Sequence, residues 1–263
     1  MYFDSHSHYY DSRFNDEFDG GANALLKSLF ADKICGIINV GDSIKASHKC
    51  IAQAAKYNNM YVAAGIHPSC AGKEGSVNEG RIALCDLLDN ASKNKIVAVG
   101  EIGFDYHYDD TDRETQREFF EMHMRVAEMY GLPVVIHDRE AHGDCFEMVC
   151  KYPRVRGVFH SYSGSAEMAA ELIKRGWMIS FSGVVTFKNA ERVRAVAKSV
   201  PLNKVFIETD CPYLAPHPHR GECNHSGLIE YTASTLGEIH GITSEEIAKI
   251  TADNAAKFFG IEL

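Results

Sequence analysis

The sequence predicts an α/β protein, a single (β/α)8 barrel spanning residues 1–263 with closing C-terminal helices. Three observations predict it. Eight short apolar runs recur along the chain, amphipathic stretches separate them, and polar residues of one chemical kind recur where the runs end. Eight such alternations in 263 residues fit a closed barrel of parallel strands better than an open doubly wound sheet.

In chain order the strand candidates read MYFDSH, KICGIINV, MYVAAGIH, KIVAVGEIG, LPVVIH, RGVFHS, WMISFSG and KVFIETD. Each is an apolar run of strand length, as expected of strands buried on both faces. Among the intervening segments, Arg113 to Tyr130 places Phe119, His123, Val126 and Tyr130 on one helical face. Thr111 and Glu114 have capping-box spacing at its start, and Thr243 with Glu246 repeats the signal. The stretch from Gly227 to Phe259 supplies the closing helices. Neither a low-complexity linker nor a break in composition divides the chain, so one domain is expected.

A hydrophobic share of 45% supplies a full core. No apolar run approaches the roughly 20 residues of a membrane-spanning helix. The N-terminus lacks the basic, apolar, small-residue layout of a signal peptide, which points to a cytoplasmic address. Eight cysteines lie scattered without a CxxC pair. In a reducing compartment they are expected as free thiols packed like small hydrophobes, Cys145 and Cys150 included. A net charge of −9 argues against coating long nucleic acid by bulk electrostatics. It leaves room for an enzyme that holds a few phosphates locally.

Barrel enzymes place their chemistry at the C-terminal ends of the strands. His6 and His8 end the first run, and alternate residues of a strand share a face, so the two imidazoles project together. Alone, an HxH pair reads equally as two solvated histidines at a strand end. Four further residues decide the reading. Glu101 ends the fourth run, His137 the fifth, His160 the sixth and Asp210 the eighth. Six ligand-type side chains at strand ends, each a costly polar group beside a core, point to bound metal.

The motifs FDSHSH, GIHP, VGEIGFDYHY, VIHDREA, FHSYSG, SFSGVVTFKNA, IETDCPYL and TADNAAKFFG, in this order, resemble the TatD-like metal-dependent deoxyribonucleases of the amidohydrolase superfamily. The resemblance covers nearly the whole chain and implies a site for two divalent cations. By motif, His6, His8 and Asp210 would bind the first, His137 and His160 the second, and Glu101 would bridge them. Lys95 lies at the opposite end of its strand and cannot take the bridging role that a carboxylated lysine plays in superfamily relatives. The chain departs from the family after PYLAP, where HRGECNHS keeps Arg220, Gly221 and Asn224 but lacks a basic residue and a Glu-Pro pair. Substrate identity is the property this departure affects most.

The resemblance further implies a 3′–5′ exodeoxyribonuclease acting on DNA ends or short oligonucleotides, with no membrane and no obligate protein partner. Asp210 would hold a metal and serve as general base. Mixed nitrogen and oxygen ligands suit Zn²⁺, Mn²⁺ and similar ions, and the family also allows Mg²⁺. Arg139, Lys188 and Arg220 are candidate phosphate contacts, each weighed against a solvated charge, and His67 a candidate pocket residue, as is His107. The SYSGSAE segment around Gly164 reads more readily as a plain turn than as a phosphate-binding helix start. His123, on an apolar helix face, reads as a core histidine. His217, His219 and His225 cluster in the divergent loop. Three other functions compete. An amidase, lactonase or deacylase of the same superfamily would use the same metals. A phosphoesterase of the polymerase and histidinol phosphatase type shares the opening strand but not GEIGFDY or IETDCPYL. A non-enzymatic binding protein on a degenerate barrel conflicts with an intact ligand set.

Overall fold

A computed structural model describes residues 1–263. All eight predicted strands form: β1 Tyr2–Ser7, β2 Ile34–Val40, β3 Met60–Ala64, β4 Ile96–Asp105, β5 Val134–Arg139, β6 Gly157–Phe159, β7 Met178–Phe181 and β8 Val205–Ile207. They make one sheet in the order β1 to β8, and a parallel bridge between Ser7 and Cys211 returns the chain after β8 to β1. That is the strand order of a (β/α)8 barrel, the predicted class. The chain divides into two compact units, residues 1–39 with 160–173 and 178–263, and residues 40–159 with 174–177.

In the first unit β1 pairs in parallel with β2, Phe3 opposite Gly36, and β7 with β8, Ile179 opposite Val205. The predicted closing helices run over Ile229–His240 and Ser244–Phe259. The second carries the expected capping box, Thr243 Oγ1 accepting from Glu246 N–H and the Glu246 carboxylate from Thr243 N–H. Its last turn packs Phe258 and Phe259 on Phe206 of β8, ring centroids 5.5 Å apart in both pairs. All six residues of β1 are buried although four are polar, so each needs a partner inside the protein. Ser5 Oγ donates to Ile207 O at 3.0 Å and Ser7 Oγ to Ile38 O at 3.0 Å.

In the second unit β3, β4, β5 and β6 pair in sequence. The strand β4 runs four residues past Glu101, to Asp105, beyond the end predicted. Gly103, at φ 142°, lies opposite His137, where an added Cβ would sit 1.9 Å from His137 O. Only glycine lets these two strands approach so closely. The Lys95 ammonium donates to Ala54, Tyr57 and Asn58 carbonyls, at the end of β4 away from Glu101 as predicted.

The long helix occupies Arg113–Tyr130, with Phe119, His123 and Val126 buried. Its cap corrects the sequence reading. Asp112, not Thr111, accepts from the N–H groups of Glu114 and Thr115, because the Thr111 hydroxyl takes Gly72 N–H instead. His123 is the core histidine expected: Nε2 accepts from Ile66 N–H at 3.1 Å and Nδ1 donates to Phe119 O at 2.6 Å. Burial pushes its pKa down to about 4. The unfolded chain therefore takes up a proton near pH 6.5 that the folded chain refuses, so stability is full above pH 6.5 and falls as pH drops towards 4. At pH 5 this linkage removes about 2 kcal/mol. Thermal or urea unfolding of metal-free protein between pH 7 and 5 should show a shallower loss in His123→Gln than in the parent, and equal slopes would contradict the assignment.

Candidate metal centre

The first unit gathers His6, His8, His160, Glu208 and Asp210. The extended β1 backbone sends His6 and His8 to one side, with Nε2 atoms 3.1 Å apart. Asp210 Oδ1 lies 3.5 Å from His6 Nε2 and 3.3 Å from His8 Nε2. The three separations are close to the ~3.4 Å edge of a tetrahedron built on ~2.1 Å metal–ligand bonds. His6 and His160 stack at 4.1 Å. Two imidazole nitrogens and a carboxylate oxygen facing one another suit a divalent cation, which accepts all three lone pairs at once. The donors fit the metal that the sequence implies.

What holds Asp210 there is the turn after β8. The strand ends at Ile207, and Asp210 sits at φ 58°, a left-handed conformation costing on the order of 1 kcal/mol outside glycine. Several bonds offset it. Asp210 N–H donates to His6 O at 2.9 Å, and the buried Asn224 amide donates to Thr209 O and Tyr213 O at 2.8 and 2.7 Å. Asn224, one of the retained residues of the divergent loop, thus frames Asp210. Burial pushes the Asp210 carboxyl up, but the His8 hydrogen bond and the charges of His160, His6 and His8 outweigh it, and the net shift is downward.

The second unit gathers Glu101, Asp105, His67 and His137. His137 Nδ1 lies 2.7 Å from Glu101 Oε1 and its Nε2 3.0 Å from Asp105 Oδ2. His67 Nε2 is 3.8 Å from Glu101 Oε1, and its ring meets His137 edge-on at 4.3 Å. A neutral imidazole carries one N–H, yet both nitrogens face carboxylate oxygens, which only accept. A second ring proton resolves the conflict, and so does a cation beside Nδ1, so this donor set also fits a metal. Burial raises the Asp105 carboxyl, but the hydrogen bond and charge of His137 and the N–H groups of His107 and Tyr108 prevail, bringing it to about 2.

The four candidate substrate residues lie in different segments of the chain. His67 joins the Glu101 cluster, while its Nδ1 accepts from Ser69 N–H. Arg139 is exposed at the end of β5, its guanidinium 4.9 Å from the Tyr108 ring centroid. Arg220 stacks 3.9 Å from the Phe187 ring centroid and donates to Ala215 O, and Lys188 follows Phe187 as an exposed cation. In the divergent loop, His219 bonds Glu222 and Tyr231, and His225 Nδ1 accepts from Gly227 N–H. His107 lies 2.7 Å from Glu140. All eight cysteines are free thiols.

Three buried carboxylates escaped the sequence reading: Asp4, Asp105 and Glu208. Two carry the alternation that exposed the HxH pair, since Asp4 precedes His6 by two residues and Glu208 precedes Asp210 by two. Asp4 accepts from Thr209 N–H, Thr209 Oγ1, Ser226 Oγ and His6 N–H.

The family model for TatD related DNase matches residues 3–260. The chain belongs to this family. It is 34% identical to the uncharacterized metal-dependent hydrolase YabD of Bacillus subtilis, over 99% of this chain and 100% of that one. It is 33% identical to the uncharacterized metal-dependent hydrolase YcfH of Escherichia coli K12, over 98% and 96%. Among solved structures, the TatD homolog YJJV of Escherichia coli superposes with a TM-score of 0.88 at 26% identity, covering 99% of this chain and 98% of that one. A phosphotriesterase homology protein of Escherichia coli, 15% identical, shares the fold with a TM-score of 0.68 over 98% of both chains. No helix is long and apolar enough to cross a membrane.

Mn²⁺ titrated into chelator-treated protein should raise the melting temperature, and His8→Ala should reduce the rise. An unchanged melting temperature in the parent protein would contradict a metal centre.

Proposed function

We propose that this member of the TatD-related family is a metal-dependent hydrolase of phosphodiester bonds. In this reading it is a 3′–5′ exodeoxyribonuclease acting on DNA ends or short oligonucleotides in the cytoplasm, with residues 1–263 as one hydrolase domain. The observation that carries the reading is the pair of His6 and His8 nitrogens 3.1 Å apart, with Asp210 Oδ1 within 3.5 Å of both, in a chain matched end to end by a DNase family model. His6, His8 and Asp210 would hold one divalent cation, His137 and His160 the other, with Glu101 shared. Zn²⁺, Mn²⁺ and Mg²⁺ are the candidate ions. Bound cations would supply Lewis-acid polarisation of the phosphoryl oxygen and a more acidic water.

The remaining chemistry belongs to the chain. Asp210 Oδ1 faces the two histidines, so Oδ2 is the atom assigned to take the attacking water's proton. As the shared ligand, Glu101 would supply negative charge that offsets cation repulsion. Arg139, Lys188 and Arg220 are assigned to phosphate oxygens, Arg220 already oriented by Phe187, and His67 to the pocket wall beside Glu101. Net charge −9 disfavours tracking along extended phosphate backbones, which supports a preference for ends.

Asp210→Asn keeps the shape and one coordinating oxygen but loses the base, and should slow turnover roughly 10²- to 10⁴-fold without rescue by excess Mn²⁺. His160→Ala should recover in part as Mn²⁺ rises, and full recovery of Asp210→Asn would reduce Asp210 to a ligand. Circular dichroism controls for folding. A separate assay compares an end-labelled strand with a closed circle, alongside small amides and esters. The strand should be shortened from its 3′ end, and equal cutting of the circle would overturn the exonuclease reading.

A further inference from the structure

Two histidines assigned above as ligands each give one ring nitrogen to a buried carboxylate that the ligand set does not include. His137 Nε2 lies 3.0 Å from Asp105 Oδ2, and His160 Nδ1 lies 3.2 Å from Glu208 Oε1. Asp105 is 3% exposed and Glu208 fully buried, so each carboxylate depends on partners inside the protein. An ionised carboxylate only accepts, so each of these contacts holds a ring proton on the nitrogen facing it and assigns the other nitrogen to the metal. For His137 that is Nδ1, whose contact with Glu101 is the one a shared cation would take over. The two histidines use different nitrogens for this contact.

We infer that Asp105 and Glu208 are positioning residues that fix His137 and His160 in opposite tautomers, so that His137 offers Nδ1 and His160 offers Nε2 to a divalent cation. The inference rests on the reading of these histidines as metal ligands. His137 Nδ1 already faces Glu101 Oε1 at 2.7 Å, the place where a shared cation belongs in that reading. Hydrogen bonds of this kind to the second nitrogen of a ligand histidine set its orientation and basicity, and their loss typically costs 10- to 100-fold in metal affinity.

The two locks differ in construction, and the difference makes them separable. Asp105 divides its oxygens: Oδ1 accepts His107 N–H at 2.9 Å and Tyr108 N–H at 3.3 Å, while Oδ2 serves His137. In Asp105→Asn the amide oxygen must stay under those backbone donors, so the NH2 group points at His137 Nε2 and donates to it. The ring proton then moves to Nδ1, where it competes with the metal, the inversion known when an amide replaces a histidine-orienting carboxylate. Glu208 uses one oxygen twice. Its Oε1 accepts both Ser161 N–H at 2.7 Å and His160 Nδ1–H. In Glu208→Gln the amide oxygen stays at that position, because an NH2 group cannot accept the Ser161 N–H. His160 keeps its tautomer. The same acid-to-amide change should therefore invert one histidine and spare the other.

The test uses Zn²⁺ alone as the probe. Long-range ¹H–¹⁵N spectra of ¹⁵N-labelled, Zn²⁺-loaded protein identify the metal-bound and protonated nitrogen of each ring, with His137→Gln and His160→Gln assigning the signals. Calorimetric titration gives the affinities. The parent protein should bind Zn²⁺ through His137 Nδ1 and His160 Nε2. Asp105→Asn should weaken one binding step 10- to 100-fold, Glu208→Gln should stay within a few-fold of the parent, and Glu208→Ala should weaken binding. Zn²⁺ on His137 Nε2 or His160 Nδ1, or an Asp105→Asn variant that binds like the parent, would overturn the inference. A parent protein that takes up no Zn²⁺ would instead overturn the metal-dependent reading on which it rests.

Discussion

Asp4 is a carboxylate with no exposure to water, in the middle of the first strand. A charge so placed is tolerated only with a full set of donors, and Asp4 has four, from His6, Thr209 twice and Ser226. Burial pushes its carboxyl up to about 6, with the Ser226 and Thr209 bonds pulling the other way. These bonds join β1 to the turn that follows β8. Because His6 and Thr209 are the donors, the same bonds fix the backbone that carries His6, His8 and Asp210. Tyr9 extends the network, its hydroxyl donating to Ser226 Oγ at 2.8 Å and accepting Ser226 N–H at 2.9 Å.

The candidate centre sets two imidazole nitrogens and a carboxylate oxygen opposite one another within 3.5 Å, an arrangement that costs stability unless a proton or a cation lies between them. Two imidazole nitrogens at 3.1 Å share at most one proton, and the carboxylate beside them offers none. The surrounding bonds hold the groups in that opposition: Asn224 clamps the Asp210 turn, Gly103 lets β4 close on β5 at His137, and Asp105 is held by two backbone N–H groups. Rigidity of this kind preorganises a site for a cation, since the ordering cost is met on folding rather than on binding.

The strands were legible in the sequence because barrel strands buried on both faces read as uninterrupted apolar runs. The six ligand candidates were legible because ligand-type residues terminate those runs. What escaped was partnership. Nothing in the local pattern tells that Asp105 reaches His137, 32 positions away, or that Glu208 reaches His160, 48 positions away. These pairings depend on strand register, and the register turns on details such as the continuation of β4 to Asp105. The misplaced cap has a similar cause: Thr111 is drawn to Gly72, a contact between distant segments, and the neighbouring Asp112 fills the vacancy. Arg220 could be picked out as a loop cation, but its stacking on Phe187 depends on the fold.

Anomalous diffraction at the manganese edge, from crystals grown with saturating Mn²⁺, is the most direct test of the claim that these residues form a preorganised metal centre. Two peaks are predicted, one bounded by His6 Nε2, His8 Nε2 and Asp210 Oδ1, the other touching His137 Nδ1, with the side chains within a few tenths of an ångström of the positions described. Absence of anomalous density at both clusters, or density only after His6, His8 and Asp210 have rearranged, would contradict it.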